Sequence, residues 1–384
     1  MIVLVDATMI TRSCGYSTVI RAYLHALSEI VLSSDNTQYE PKLEKVVVVL
    51  QKRAQSIIDP NMVMRESSLF KYIVLPNMPA FVRIFIQQII VNIYLVIENA
   101  DILHSPASIG NVFPLRPQFL FFHNSSTFVI DRFMTGRSKL ATCVSNYLIK
   151  LSVKRSKIIA TTTKTTGEEL KKFIGDHITY ISIGDIGEDF RLIDVSRPTD
   201  RLVSLEGHKY VLYVSNFYKC KNQELLIRYA KLSNYQIVLV GAPCDQQYYG
   251  QCVMESQNEH NVKIYADATK AEIAWLYAHA KIYVCPSLYE SFALTPLEAL
   301  QFDVPIILSD MPVFHEVYGD EFKYFDAHNV SSLIAAINSV DDNYVSLCNN
   351  SYLINKYSWK NFAQNNLSIY KLMISDPGTI SNRK

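Results

Sequence analysis

The segment Cys285-Pro286-Ser287-Leu288-Tyr289-Glu290-Ser291-Phe292-Ala293-Leu294-Thr295-Pro296-Leu297-Glu298-Ala299-Leu300 carries the densest chemistry in the chain. It follows an apolar run and brings two carboxylates, Glu290 and Glu298, close in sequence around a Thr-Pro pair. Thr295 suits a helix N-cap, Pro296 suits the first helical position, and Glu298 follows within the first turn. The free amides of such a helix start suit a phosphate. The same spacing also fits a capping box, in which Glu298 folds back on its own backbone. Glu290 sits before the helix in a loop, where it is either solvated or held for a ligand. Further upstream, Asn216, Lys219 and Lys221 follow another apolar run, and Lys221 reads as an anion ligand or as a turn lysine. His123 ends the run 119–122 and reads as a ligand-facing group or as a partly buried, satisfied histidine.

These residues need elements that hold them. Strands are expected at 2–5, 45–50, 73–75, 102–104, 119–122, 157–161 and 179–183. A second series is expected at 210–214, 236–240, 262–265, 282–284, 305–308 and 323–325. Runs such as Val46-Val47-Val48-Val49 suit strands covered on both faces, as in parallel sheets. Helical stretches lie between them at 17–32, 166–173, 223–232, 270–278, 296–301 and 330–339. Alternating β and α elements imply a parallel α/β architecture. The polar stretch 185–207 reads as a linker, so two doubly wound domains are expected, at 1–190 and 205–350, with a last helix near 357–375. Such sheets bind ligands beyond the carboxyl ends of their strands, which places the site in a central cleft.

Composition narrows the classes. With 49% hydrophobic and 19% charged residues over 384 positions, the chain is a folded globular protein. Lys plus Arg number 37 against 36 Asp plus Glu, a balance that argues against a nucleic-acid binder. Seven scattered cysteines without a CxxC pair make neither a disulfide framework nor a zinc set. They suit a reducing compartment, so a cytoplasmic location is expected. The run 2–5 lacks a basic lead and reads as a strand rather than a signal peptide. The apolar run 84–97, interrupted by Gln87, Gln88 and Asn92, falls short of the roughly 20 residues a membrane span needs. Lys150, Lys154, Arg155 and Lys157 read as a solvated helix face. If they share a face with the apolar residues around 81–85, they suit an anionic membrane surface instead.

The Glu290 and Glu298 spacing, in the context P-S-L-Y-E-S-F-A-L-T-P-L-E-A-L, resembles the E-x7-E donor-site signature of retaining GT-B glycosyltransferases of family 4, which commonly reads E-G-F-G-L-P-x-L-E-A. Leu212-Tyr213-Val214-Ser215-Asn216 through Lys221-Asn222 resembles that family's strand, loop and lysine at the donor diphosphate. Val238-Leu239-Val240-Gly241, Ser309-Asp310 and Phe325-Asp326 fall where it has a further strand and turn and its SD and FD pairs. Gly15, Leu103-His104-Ser105-Pro106, His123 and Tyr357-Ser358-Trp359 extend the likeness over nearly the whole chain, most strongly over 210–326.

The resemblance implies a GT-B fold and roles residue by residue. Glu298 would accept from the nucleotide ribose hydroxyls. Lys221 would neutralise the diphosphate without a metal or cofactor. The backbone at Ser291, Phe292, Ala293, Leu294 and Thr295 would hold phosphate and sugar. Glu290 would contact the transferred sugar, His123 would lie beside that sugar, and Gly15 would let backbone approach closely. The final helix would return to the first domain. Asn216 stands where the family usually has a cation, with Lys219 a possible substitute; Asn124 stands where many members carry aspartate. Ser291 and Ala293 stand at the usual glycines, which implies a narrower sugar pocket. A fixed cation and oriented amides suit a departing nucleoside diphosphate, and a carboxylate suits the oxocarbenium-like sugar. The implied function is transfer of a hexose from a nucleotide sugar to a carbohydrate or lipid-linked glycan acceptor in surface polysaccharide synthesis. The alternatives are an inactive nucleotide-sugar-binding subunit and a nucleotide-sugar 2-epimerase.

Overall fold

The β-branched and aromatic runs become parallel strands, as their lack of in–out alternation requires. The computed structural model describes residues 1–11, 15–32, 42–58, 68–123, 139–175, 181–182, 190, 193–340 and 350–375. The first series comprises β1 (Ile2–Asp6), α1 (Gly15–Leu32), β2 (Lys45–Gln51), α2 (Lys52–Ile58), β3 (Phe70–Leu75) and α3 (Ala80–Ile97). It continues with β4 (Ile102–Ser105), β5 (Gln118–Phe122), α4 (Lys139–Arg155), β6 (Ile158–Thr161), α5 (Lys164–Ile174) and β7 (Ile181–Ser182). The second comprises β8 (Tyr210–Val214), α6 (Gln223–Ala230), β9 (Gln236–Val240), α7 (Gln246–Ser256), β10 (Val262–Tyr265), α8 (Lys270–His279) and β11 (Ile282–Cys285). It closes with α9 (Thr295–Leu300), β12 (Ile306–Ser309), α10 (Pro312–Tyr318), β13 (Lys323–Phe325), α11 (Val330–Asn338), α12 (Asn350–Lys356) and α13 (Trp359–Ser375).

The strands form a seven-stranded sheet ordered β3-β2-β1-β4-β5-β6-β7 and a six-stranded sheet ordered β10-β9-β8-β11-β12-β13. Every pair is parallel; Val3, for example, lies opposite Val46 on one side and Ile102 on the other. Both sheets are doubly wound, and in each the strand order reverses once, between β1 and β4 and between β8 and β11. The described residues of Met1–Phe128, Arg137–Ile186 and Tyr357–Lys384 form one compact unit, and those of Gly187–Lys356 form another.

Helix α13 packs on α1 in the first unit and buries Phe362, Ala363, Leu367, Tyr370 and Met373. The Tyr370 hydroxyl meets His104 Nδ1 at 2.6 Å and shares a short hydrogen bond with the Tyr23 hydroxyl, so α13, α1 and β4 are joined through one buried polar chain. Lys157 Nζ donates to the Met373 carbonyl at 2.7 Å, which draws Lys157 away from the basic cluster read with Lys150, Lys154 and Arg155.

Several helices lack the periodicity that would announce them. Helix α3 has 18 residues, longer than the run read from the sequence, and by length and composition it is apolar enough to cross a membrane. Its inner face packs Val91 and Leu95 on Leu4, Val47 and Leu103, and Gln87 donates to Asp6 Oδ2 at 2.6 Å. In α7, Gly250 and a mostly polar sequence hide a helix with two buried residues, Tyr248 and Cys252. Of the strand expected at 179–183, the described part is β7. The rest of that run, Asn124, Cys14, Cys348 and most of the expected linker's first half lie outside the described residues.

Candidate active site

The second sheet changes direction at β8 and β11, and the loops leaving those strands carry the charged residues. The β8 loop is held from below by Gly241, whose φ is +152°. A Cβ there would lie 2.0 Å from the Ser215 carbonyl oxygen, so only glycine lets the two loops pass this closely. Asn216 Oδ1 accepts from the Ala242 amide at 3.2 Å, and Gln223 Nε2 donates to the Ser215 and Asn216 carbonyls. Asn216 therefore braces the loop. The chain then makes a tight turn at Lys219–Lys221. Asn222, at φ +57°, donates to the Pro286 and Ala327 carbonyls, each at 3.0 Å. The Leu288 amide donates to the Cys220 carbonyl at 2.8 Å. One asparagine and one amide thus lash together the loops that follow β8, β11 and β13.

That lashing brings Lys221 to Glu290. Their charged atoms are 2.6 Å apart, with both side chains largely buried. Ser287 Oγ donates to the same carboxylate oxygen at 2.8 Å and is itself 3.0 Å from the Tyr213 hydroxyl. Ser309 Oγ fixes the Ser287 carbonyl at 2.7 Å. Burial opposes the charge on Lys221, but Glu290, and after it Cys220, outweigh burial and hold the ammonium above its ordinary range. Burial first, then Glu290, pushes the Cys285 thiol up to about 12, so it stays protonated beside the pair. The arrangement is a fixed cation and a fixed carboxylate at the point where the strand order reverses, the place such sheets reserve for ligands.

Glu298 is buried in α9 and accepts from the Tyr277 hydroxyl at 3.0 Å. Burial, then the Glu298 charge, keeps that phenol protonated and so a donor. The capping box is not formed: Leu294 is the N-cap, and no side chain caps the helix. Thr295 is the first helical residue and its hydroxyl pairs with Tyr283 at 2.6 Å, because a buried phenol next to the helix start competes for it. Ala293 has φ +66°, a left-handed conformation that favours glycine, and its carbonyl accepts from the Tyr318 hydroxyl at 2.5 Å. Phe292 is a core side chain, so only its backbone is available to a ligand. Ser291 and Leu294 are half-buried.

Asp310 and Asp326 both serve structure. His315 in α10 bridges Asp310 at 2.8 Å and Asp320 at 2.6 Å, and Asp326 Oδ1 accepts from the His328 amide. In the first unit, Gly15 opens α1. His123 follows β5 and is buried, its ring 3.9 Å from that of Phe121. His104 is also buried; burial, then His123, lowers its affinity for a proton, so it is neutral. Ser287, Tyr213 and Asn222 were given no role of their own from the sequence, and Tyr277 and Tyr283 were not read at all. Ser287, Tyr213 and Asn222 lay inside the quoted stretches, whereas Tyr277 and Tyr283 reach the site from other elements and leave no local signal. In the first unit, Asp6 was likewise unread; burial raises its pKa against hydrogen bonds from Thr8 and Gln87.

Residues 198–354 match the family described as Glycosyl transferases group 1. Among curated relatives, the O-antigen chain mannosyltransferase RfbU of Salmonella typhimurium is 25% identical over 224 residues, which is 57% of this chain and 60% of that protein. The chain spans 47–60% of the length of the first curated relatives it matches. Among solved structures, sucrose-phosphate synthase from Thermosynechococcus elongatus superposes with a TM-score of 0.73 at 17% identity, covering 97% of this chain and 99% of that one. HepE of Anabaena, in complex with UDP and glucose, superposes with a TM-score of 0.72 at 12% identity, covering 97% of this chain and 100% of that one. These likenesses and the two doubly wound sheets establish a two-domain GT-B fold.

Proposed function

We propose that this chain is a retaining glycosyltransferase that moves a hexose from a nucleotide sugar to a glycan acceptor, lipid-linked, in surface polysaccharide synthesis. The observation that carries the reading is the Lys221–Glu290 pair at the β8/β11 switch point, inside the segment similar to group 1 glycosyltransferases. In this reading the donor lies over the carboxyl ends of β8 and β11. Lys221 meets the diphosphate and stabilises the charge that grows on the leaving oxygen. Glu290 holds Lys221 in place and puts negative charge near the anomeric carbon. Glu298 accepts from the ribose while Tyr277 fixes its second oxygen. Backbone at Ser291, Ala293, Leu294 and Thr295 completes the donor cradle. No metal is required in this scheme because Lys221 supplies the cation. The mannosyltransferase relatives make GDP-mannose the first donor to test, and the cytoplasm is the proposed compartment.

The test is a thermal-shift screen of UDP-, GDP-, dTDP- and CMP-sugars, followed by a transfer assay with and without EDTA. A ligand that binds the native state raises its melting temperature. One nucleotide sugar should stabilise the protein, and transfer should survive chelation. Stabilisation by none of them overturns the reading; activity lost to EDTA and restored by manganese overturns its metal-free part. A second reading, a donor-binding subunit of weak activity, is favoured by Asn216, whose side chain braces a loop where the family has a cation. Donor binding without transfer or donor hydrolysis selects it.

A further inference from the structure

Four tyrosines from four elements converge on the segment 287–298 and reach different points of it. Tyr213 of β8 meets Ser287 Oγ at 3.0 Å, and Tyr283 of β11 meets the Thr295 hydroxyl at 2.6 Å. Tyr277 of α8 donates to Glu298 Oε2 at 3.0 Å, and Tyr318 of α10 donates to the Ala293 carbonyl at 2.5 Å. All four are buried, and the ring centres of Tyr213, Tyr283 and Tyr277 follow one another at 6.3 and 5.9 Å. Burial, the largest influence on each of these three, lifts the phenols well above their ordinary range, so their hydroxyls stay protonated. A core that needed only bulk would be filled as well by phenylalanine; it is the hydroxyls that meet this one segment. The segment also needs holding. Ala293 sits at φ +66°, which an L-residue keeps only where its surroundings impose it. Lys221 and Ser287 both take Oε1 of Glu290, so the serine fixes how that carboxylate is turned.

We propose that Tyr213, Tyr283 and Tyr318 are positioning residues that hold the donor loop in its working shape. Tyr318 clamps the Ala293 carbonyl, keeps that residue left-handed, and so sets the path of the backbone that cradles the donor. Tyr283 anchors the far end of the loop at Thr295. Tyr213 acts through Ser287, which with Lys221 occupies Oε1 of Glu290 and leaves Oε2 to the sugar. None of the three touches the donor itself. Their part in donor binding rests on the proposed glycosyl transfer, whereas their hold on the loop does not. Rigid support of this kind costs no reorganisation when the donor binds, which is the use of a second layer of fixed side chains.

Limited chymotrypsin digestion of the full chain, read by mass spectrometry, tests the hold without any nucleotide. Phe292 is a core side chain, so a cut after it requires the loop to open. Tyr318→Phe should speed that cut about two- to tenfold, the effect of one lost hydrogen bond. The rate should be nearly independent of urea below the unfolding transition, because a local opening exposes little surface. Ala293→Gly added to Tyr318→Phe should slow the cut again, since glycine keeps this φ without the clamp. With GDP-mannose as donor, Tyr318→Phe and Tyr283→Phe should raise KM about two- to tenfold and leave kcat within about twofold, whereas Tyr213→Phe should lower kcat and leave KM. Equal cutting of wild type and Tyr318→Phe, or a cut that appears only as urea unfolds the chain, overturns the proposal. So does a double variant cut no more slowly than Tyr318→Phe, or one common change of KM and kcat in all three variants. A wild-type chain inactive with every nucleotide sugar ends the donor reading, and the digestion then decides the positioning by itself.

Discussion

At the residue scale the two glutamates separate by their partners. Glu298 keeps a hydrogen bond to Tyr277 when changed to Gln, so Glu298→Gln should leave stability nearly intact and raise the donor KM about ten- to a hundredfold, with kcat less affected. Glu290 is different, because its charge answers Lys221. Glu290→Gln strands a largely buried ammonium, and a charge-assisted hydrogen bond is worth about 1.5–3 kcal/mol. It should therefore lower both kcat and the melting temperature. Steady-state kinetics with thermal melts of both variants check this, and a Glu290→Gln variant of unchanged stability would mean the pair is not formed in solution. Ala293 offers the opposite case. Its φ of +66° costs an L-residue about 1–2 kcal/mol, partly offset by the entropy glycine loses on folding, so Ala293→Gly should stabilise by up to about 1 kcal/mol in denaturant titration. The two glutamates were legible in the sequence because their spacing is local. The Lys221–Glu290 contact was not, since it joins loops after different strands. The capping box failed for the same reason: Tyr283, from another element, takes the Thr295 hydroxyl.

At the element scale, loops are set by what lies beneath them. Gly241→Ala would drive a Cβ into the Ser215 carbonyl, and forced overpacking costs about 1–3 kcal/mol. Because Ser215 begins the loop that carries Lys221, the variant should lose melting temperature and donor affinity together. Helix α10 gives a pH prediction. The Asp310 hydrogen bond, helped by Asp320 and opposed by partial burial, raises the affinity of His315 for its proton. A raised folded value means that the stabilisation is fully present below the ordinary imidazole value of about 6.5 and is lost as pH rises through the folded one. The melting-temperature gap between wild type and His315→Gln should be larger at about pH 6 than at pH 9; an equal gap would show that the bridge carries no linked proton. Strands were legible because uninterrupted β-branched runs such as β2 admit few other structures. Helix α3 was absent from the expected helices because it is apolar on both its packed and its exposed face, and a pattern without contrast has no period.

At the scale of the whole molecule, the chain order and the packing order differ. Residues Gly187–Lys356 form one compact unit, while the first unit takes its last helix from beyond them. As separate fragments, 187–356 should melt cooperatively, whereas 1–186 should not unless 357–384 is supplied in trans; calorimetry of the three mixtures checks this. A cooperative 1–186 fragment would show that α13 is an accessory. The interrupted first unit also has a consequence for synthesis. At roughly 5–20 residues per second, a ribosome needs on the order of 10–35 s to translate the second unit. Throughout that interval the Tyr23 and His104 side chains wait for Tyr370, and the face of α1 that α13 will cover stays open to solvent. The nascent first unit is therefore the stage at which this protein most needs a holdase, and slowing translation within 187–356 should lower its soluble yield more than slowing it after residue 375.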